Sequence, residues 1–350
     1  MIVPMSVLPA FLIASVLSVG VHFLCVKLFP TLRLLDFPER YGLTRPRLPY
    51  PIGIATAALM CVAVFGYGQE LTVNRWILIA AILILLITCA VDDLRGIPAP
   101  LRLVIQTLLA LGLFFAGTRI YTLQNPLSAT GMIPLDQLKI DLGTLQSIPV
   151  WSCIVTVGWL LLTMNAMNWF DGVTGQVSVL SVVSFVTLGV LALLPGIEQR
   201  GVAVLSLMLA GVCIGSAVFT FPPPRAILGD SGAMVIGLLI GVLAMSAGGK
   251  VATAFLVLGV PLTDSVIVIV RRIVKGESPL RGNARDEHLH HRLLLKGWSE
   301  RKVILLSAIL AIGFGASALF LKTQGKLIAA AILVLIMLGL SYYSRPLSDR

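Results

Sequence analysis

The sequence predicts an all-α, polytopic integral membrane protein with about eleven transmembrane helices, its N-terminus outside and its C-terminus cytoplasmic. Three observations predict it. The 350 residues are 57% hydrophobic and only 12% charged, with a mean hydropathy of +0.98, whereas an average soluble domain is about 25% charged. The apolar residues fall in blocks long enough to cross a hydrocarbon core, which takes roughly 20 residues of helix. The Lys and Arg residues divide unequally between alternate loops, as they do in multi-pass proteins.

The blocks lie near 6–28, 50–67, 75–91, 101–117, 149–166, 174–194, 201–219, 232–247, 251–270, 303–321 and 326–343. With the N-terminus outside, the inside segments carry 19 of the 26 Lys and Arg residues and the outside segments 7. The net charge of +10 then suits an anionic leaflet, not a nucleic acid. The run 271–302, RRIVKGESPLRGNARDEHLHHRLLLKGWSERK, holds nine of the basic residues and three of the four histidines between two apolar blocks. It reads as a long cytoplasmic loop. The longest outer segment, 118–148, reads as a plain polar excursion. No repeat or soluble domain is evident, so residues 1–350 read as a single transmembrane domain. The five cysteines lie in apolar stretches without a CxxC pair and read as small buried hydrophobes. The first basic residue, Lys27, follows the first apolar block, so no cleavable signal peptide is expected.

Polar side chains collect at the inner ends of the spans. Asp92 and Asp93 close the third block, where two acids oppose the negative end of a helix dipole. A solvated loop start is the structural reading; a cation or proton-transfer role is the functional one. Asn165, Asn168 and Asp171 lie in LLLTMNAMNWFDGVTGQ, the asparagines three apart on one helix face. Amides at membrane depth are poorly explained by capping alone. Asp230, in PPPRAILGDSGAMVIG, reads as an N-cap or as a Mg²⁺ ligand at a helix N-terminus open to phosphate. His288, His290 and His291 sit among Arg285, Arg292 and Lys296, a mixture better suited to pyrophosphate than to zinc. Asp264 is buried in the ninth block and needs a partner, for which Arg271 or Arg272 is in reach. His22, alone in the first block, reads as a satisfied structural residue.

Together these segments resemble the polyprenyl-phosphate N-acetylhexosamine-1-phosphate transferase family. That family includes the enzymes that start O-antigen, enterobacterial common antigen and teichoic acid, and phospho-MurNAc-pentapeptide transferase. The matching stretches are LLDFPERYGLTRPRLPYPIGIA, VDDLRGIPAPLRLVIQ, NAMNWFDGVTGQ, PPRAILGDSGAMVIG and the run from Pro261 through HLHHRLLLKG, in family order over residues 34–297.

The resemblance implies an eleven-helix, multi-pass plasma-membrane enzyme with a cytoplasmic active site. It would transfer HexNAc-1-phosphate, GlcNAc-1-phosphate first among the choices, from a UDP-sugar to polyprenyl phosphate and release UMP, with Mg²⁺ (or Mn²⁺) as cofactor. Carried over residue by residue, Asp92, Asp93, Asp171, His290 and His291 are catalytic. Asn165, Asn168, Arg281, His288 and Arg292 bind substrate, and Asp230 with Asp171 holds the metal. Nucleic acid is excluded as a partner, and a homodimer is compatible. Thr174 and Gln176 stand where the family often has a second acid and a leucine, and Pro51-Ile52-Gly53 stands where many members have paired glycines. A phospho-MurNAc-pentapeptide transferase, an ion-coupled transporter and an inactive lipid-binding scaffold are the alternatives.

Overall fold

The computed structural model describes residues 6–41, 45–125, 131–140, 147–246, 251–278 and 287–345. Among these residues the chain is almost entirely helical. The helices are α1 (Val7–Leu28), α2 (Gly53–Tyr67), α3 (Arg75–Arg95), α4 (Ala99–Phe115), α5 (Val150–Trp169), α6 (Gln176–Leu193), α7 (Arg200–Thr220), α8 (Asp230–Ser246), α9 (Val251–Val257), α10 (Gly259–Val274), α11 (Leu289–Leu295), α12 (Glu300–Phe320) and α13 (Thr323–Tyr343). Every apolar block of the sequence is helical.

Among the described residues seven helices are long and apolar enough to cross a membrane, namely α1, α3, α5, α6, α7, α12 and α13. The ninth block does not form one straight span. It breaks into α9 and α10, bent by 85°. Pro261 explains the break: its ring collides with the carbonyl four residues back, which belongs to Val257, the last residue of α9. The three remaining blocks give shorter apolar helices, α2, α4 and α8.

The core centres on α8, in which every residue from Ser231 to Ser246 is buried. A helix apolar on all sides has no face for water and is enclosed by its neighbours. Here α2, α3 and α5 pack directly on α8, and α7 packs between α1 and α6. The outer helices present apolar side chains outward, such as Leu12 and Leu17 of α1 and Ile328 and Leu335 of α13. Such a surface matches lipid, not water.

Helix–helix approach in an apolar medium depends on small residues at the crossing. One such close crossing joins α2 to α8. A methyl group on Gly53 would overlap the Gly232 backbone nitrogen and lie 2.6 Å from its Cα. The chain before α2 is also laced to the chain before α8. Ile227 N–H donates to Pro49 O at 3.0 Å, Ile52 N–H to Ile227 O at 3.0 Å and Gly53 N–H to Leu228 O at 2.9 Å. The short-side-chain crossing and the lacing together fix where Tyr50 and Asp230 stand.

Two expectations are corrected. The outer segment is not a plain polar excursion. It folds β1 (Thr122–Gln124) antiparallel to β2 (Met132–Pro134), and β3 (Lys139–Ile140) antiparallel to β4 (Ile148–Pro149). The basic run 271–302 is not simply a solvated loop. α10 continues into it, and α11 docks on the bundle with Leu289, His290, Arg292 and Leu293 buried. The five cysteines are free, and His22 is satisfied by Ser18 O at 2.8 Å and Thr56 Oγ1 at 2.9 Å.

The α2–α8 crossing is testable. Gly232→Val would push the helices apart at a cost of about 1–3 kcal/mol, in the range of core overpacking. The purified variant should melt several degrees below the wild type, with a matching loss at Gly53→Val and a smaller one at Gly232→Ala.

Candidate active site at one end of the bundle

The antiparallel course of the helices returns the polar segments to one end. The C-terminal ends of α3, α5, α7 and α10 meet the N-terminal ends of α4, α6 and α8 there, and α11 closes over them. The contacts below define the site.

Asp93, in the last turn of α3, is its most connected acid. Its Oδ1 accepts from Tyr50 Oη at 2.6 Å and from the Asp230 backbone N–H at 2.9 Å. Its Oδ2 accepts from the Ser231 N–H at 3.1 Å. A helix leaves its first N–H groups without internal partners, and here a carboxylate from a neighbouring helix supplies them. This corrects the expectation that the α8 N-terminus is open to phosphate, since its first donors are taken.

Asp92 faces the other way. Its Oδ1 accepts from Ile97 N–H at 2.6 Å in the short turn between α3 and α4, and its Oδ2 is paired with Arg102. The same Arg102 nitrogen, Nη1, donates to Asp230 Oδ2 at 2.9 Å. Arg102 is one of the 19 inside Lys and Arg residues and is not among the expected site residues. The available signal was its place: the three-residue turn 96–98 and Pro100 at the start of α4 bring it back beside the acids it follows.

Asp171 lies in the turn after α5, and its Oδ2 accepts from Gly229 N–H at 3.2 Å, one residue before Asp230. Enclosure by the surrounding chain, with the nearby charges of Asp230 and Asp93, pushes its carboxyl well above the ordinary carboxylate range. The two asparagines do not act as a pair. Asn165 donates to Gln106 Oε1 at 2.7 Å and to Leu161 O at 2.8 Å, which ties α5 to α4. The Asn168 side chain is buried and directed at Asp230.

The histidine motif closes the site from above. His288 Nδ1 donates to Asp264 Oδ2 at 2.8 Å, and the Leu289 N–H donates to Asp264 Oδ1 at 3.0 Å. Asp264 is therefore partnered by the motif, not by Arg271 or Arg272. Arg272 pairs with Glu287 instead, and Arg271 donates to Ser341 Oγ at 2.5 Å. His290 stacks on His288 with ring centres 5.6 Å apart and meets Phe170 edge-on at 5.9 Å. Burial, reinforced by His291 and His288, holds its imidazole well below the usual histidine range, so it is neutral near pH 7. Its Nε2 is buried with no hydrogen-bond partner. That atom lies against Gly172, where an added methyl would overlap it and would approach His291 Nε2 to 2.7 Å. The glycine after Asp171 thus lets the imidazoles reach the acids.

Of the other expected site residues, Arg292 turns to the last helix, donating to Ser341 O at 2.7 Å and Ser341 Oγ at 3.3 Å. Arg281 lies outside the described residues. Gln176 is buried and donates to Ser307 Oγ of α12 at 2.9 Å. That departure from the resembled pattern is thus absorbed by packing.

Among the described residues no three His, Cys, Asp or Glu side chains form a ready-made metal cage. The donors still fit a hard ion. Magnesium commonly takes one or two carboxylates and completes its shell with water and substrate phosphate oxygens. Asp171 and Asp230 would supply the carboxylates, and His290 Nε2 is a buried polar atom without a partner that a ligand would satisfy.

Comparisons with known proteins bear on these residues. A family model described as glycosyl transferase family 4 matches residues 75–248, which hold all four acids of the site. A decaprenyl-phosphate N-acetylglucosaminephosphotransferase of Mycolicibacterium smegmatis is 29% identical over 325 residues, covering 83% of this chain and 75% of that protein. A probable undecaprenyl-phosphate N-acetylglucosaminyl 1-phosphate transferase of Bacillus subtilis is 25% identical over 296 residues, covering 83% and 77%. A phospho-N-acetylmuramoyl-pentapeptide-transferase of Moorella thermoacetica is 30% identical over 195 residues, covering 53% and 60%. With its acids gathered at one end of an apolar helical bundle and these likenesses along most of its length, the chain belongs to glycosyl transferase family 4.

Proposed function

We propose that the protein transfers GlcNAc-1-phosphate from a UDP-sugar to polyprenyl phosphate at the cytoplasmic face of the plasma membrane, releasing UMP and starting a lipid-linked envelope glycan. One observation carries the reading. Four acids, an arginine and a buried neutral imidazole from five chain segments meet at one end of a lipid-facing bundle. Only such a border is reached by both a membrane-held phosphate and a soluble nucleotide. The M. smegmatis and B. subtilis relatives are named for the same acceptor class and sugar. The surplus of Lys and Arg in the segments on this side supports a cytoplasmic location.

In the reaction an oxygen of the lipid phosphate attacks the sugar-linked phosphorus. The bond from that phosphorus to the oxygen shared with UMP breaks, and UMP departs with that oxygen. Such a transfer depends on alignment and on neutralising charge. Asp230 and Asp171 would hold Mg²⁺, which when bound supplies positive charge to the diphosphate. Asp93 fixes Asp230 through its backbone, and Asp92 aligns Arg102. Neither needs to be a strong base, because a phosphate monoester is largely ionised at neutral pH (second pKa about 6). His290, neutral and otherwise unpartnered at Nε2, is placed to hydrogen-bond a diphosphate oxygen. Asp264 holds the motif in position through His288 and the Leu289 N–H.

The deciding assay incubates the purified protein in nanodiscs with Mg²⁺, polyprenyl phosphate and a panel of labelled UDP-sugars. UDP-GlcNAc should yield a butanol-extractable labelled lipid and an equal amount of UMP. Preference for UDP-MurNAc-pentapeptide would move the protein to the branch of its Moorella relative, and no lipid product from any donor would end the proposal. Asp230→Asn should lose about 10²–10³-fold or more in turnover while its melting temperature without Mg²⁺ stays at or above the wild-type value.

A pH-linked test follows from Asp171. Its carboxyl is raised in the fold, so the metal-free protein is favoured while that group is neutral and loses this contribution as pH rises through the raised value. A bound cation relieves the repulsion, so the Mg²⁺-induced rise in melting temperature should grow as pH rises from the ordinary carboxylate range through the raised value. Asp171→Asn should flatten that growth.

A further inference from the structure

We infer that Arg102 is a built-in counter-ion for Asp230, displaced from it when a divalent cation binds and then turned to the phosphate of the lipid acceptor. The inference rests on the metal assignment above.

Arg102 has two acidic partners of different kinds. Asp92 is anchored, because its second oxygen holds Ile97 N–H at 2.6 Å in the α3–α4 turn. Asp92 can therefore keep the guanidinium nearby whatever happens at the site. Asp230 is placed independently of Arg102, since its backbone N–H is bound by Asp93 at 2.9 Å. Its carboxylate would stay where it is if the guanidinium left. One contact of Arg102 is thus permanent and the other exchangeable, and both come from the same nitrogen.

Charge favours the exchange. Asp171 and Asp230 feel the charge of Asp93 and, for Asp230, of Asp92, and Arg102 touches two of these four acids, Asp92 and Asp230. Without a metal the guanidinium relieves the repulsion at Asp230 Oδ2. A divalent cation needs that oxygen and repels the guanidinium, so the two compete directly. Position favours the second half of the inference. The Arg102 side chain is 24% exposed while Asp92 is 9% exposed, so its outer edge remains reachable. Its neighbours Leu101, Val104 and Leu108 on α4 are all exposed apolar residues, which sets Arg102 at the lipid border. A planar guanidinium released there offers paired N–H groups to a phosphate monoester.

The test measures Mn²⁺ binding by electron paramagnetic resonance to the full chain in nanodiscs, without substrates. Arg102→Gln and Arg102→Met, two neutral variants of different shape, should each bind Mn²⁺ about tenfold tighter than wild type, while Arg102→Lys should stay within about twofold. In the transfer assay the neutral variants should raise KM for polyprenyl phosphate and leave KM for the UDP-sugar unchanged. Unchanged or weaker Mn²⁺ binding in a folded neutral variant overturns the inference. If Asp230→Asn abolishes binding and the neutral variants do not tighten it, the counter-ion role alone falls. If Asp230→Asn binds Mn²⁺ as the wild type does, the metal assignment falls with it.

Discussion

The carboxylate of Asp93 is the interaction on which the rest of the site depends. It joins three pieces of chain that no local rule brings together: the end of α3, the loop bearing Tyr50 and the first turn of α8. In an apolar surrounding an unsatisfied N–H costs several kcal/mol, so the α8 terminus needs an acceptor. Because the acceptor is a side chain of another helix, the cap also sets the register between α3 and α8. Asp230 then projects from a position fixed on its backbone side, and its carboxylate is left to deal with cations. The Gly53–Gly232 crossing adds a second constraint on the position of α8.

A second layer of the site rests on an acid held deeper in the bundle. Asp264 lies in α10, below the end where the other acids gather, and reaches upward to the histidine motif. It sits on the C-terminal side of the 85° break between α9 and α10. Glu287 with Arg272, and Arg292 with Ser341, brace the same motif on either side. The basic run is therefore organised by contacts to the membrane-embedded helices. Its charged residues do as much to hold the imidazoles in place as to meet solvent.

Much of this was legible in the sequence. The apolar blocks all became helices, because their length and uniform hydropathy leave no other way to satisfy the backbone in lipid. The clustering of Asp92, Asp93, Asp171, Asp230 and the histidines at one end followed from counting alternate loops. What could not be read was which partner each polar group takes. Arg102 and Asp92 are ten residues apart, but Arg102 and Asp230 are joined across 128. Asp264 bonds to a histidine, not to the arginines near it, because the helix carries Arg271 and Arg272 away toward Ser341 and Glu287. The two asparagines share a helix, yet one serves packing and the other faces the acids, a distinction set by Gln106 on a different helix.

The order in which the site's parts occur along the chain has a consequence for biosynthesis. Asp93, Asp171 and Asp230 are all made by the time α8 leaves the ribosome, so the acidic half can assemble early. The imidazoles arrive only with α11, and Arg292 finds Ser341 only when α13 has been inserted. A nascent or truncated chain would therefore gather its acids before it could cover them. Completion of the final helix supplies the Ser341 partner that Arg292 of the histidine segment holds.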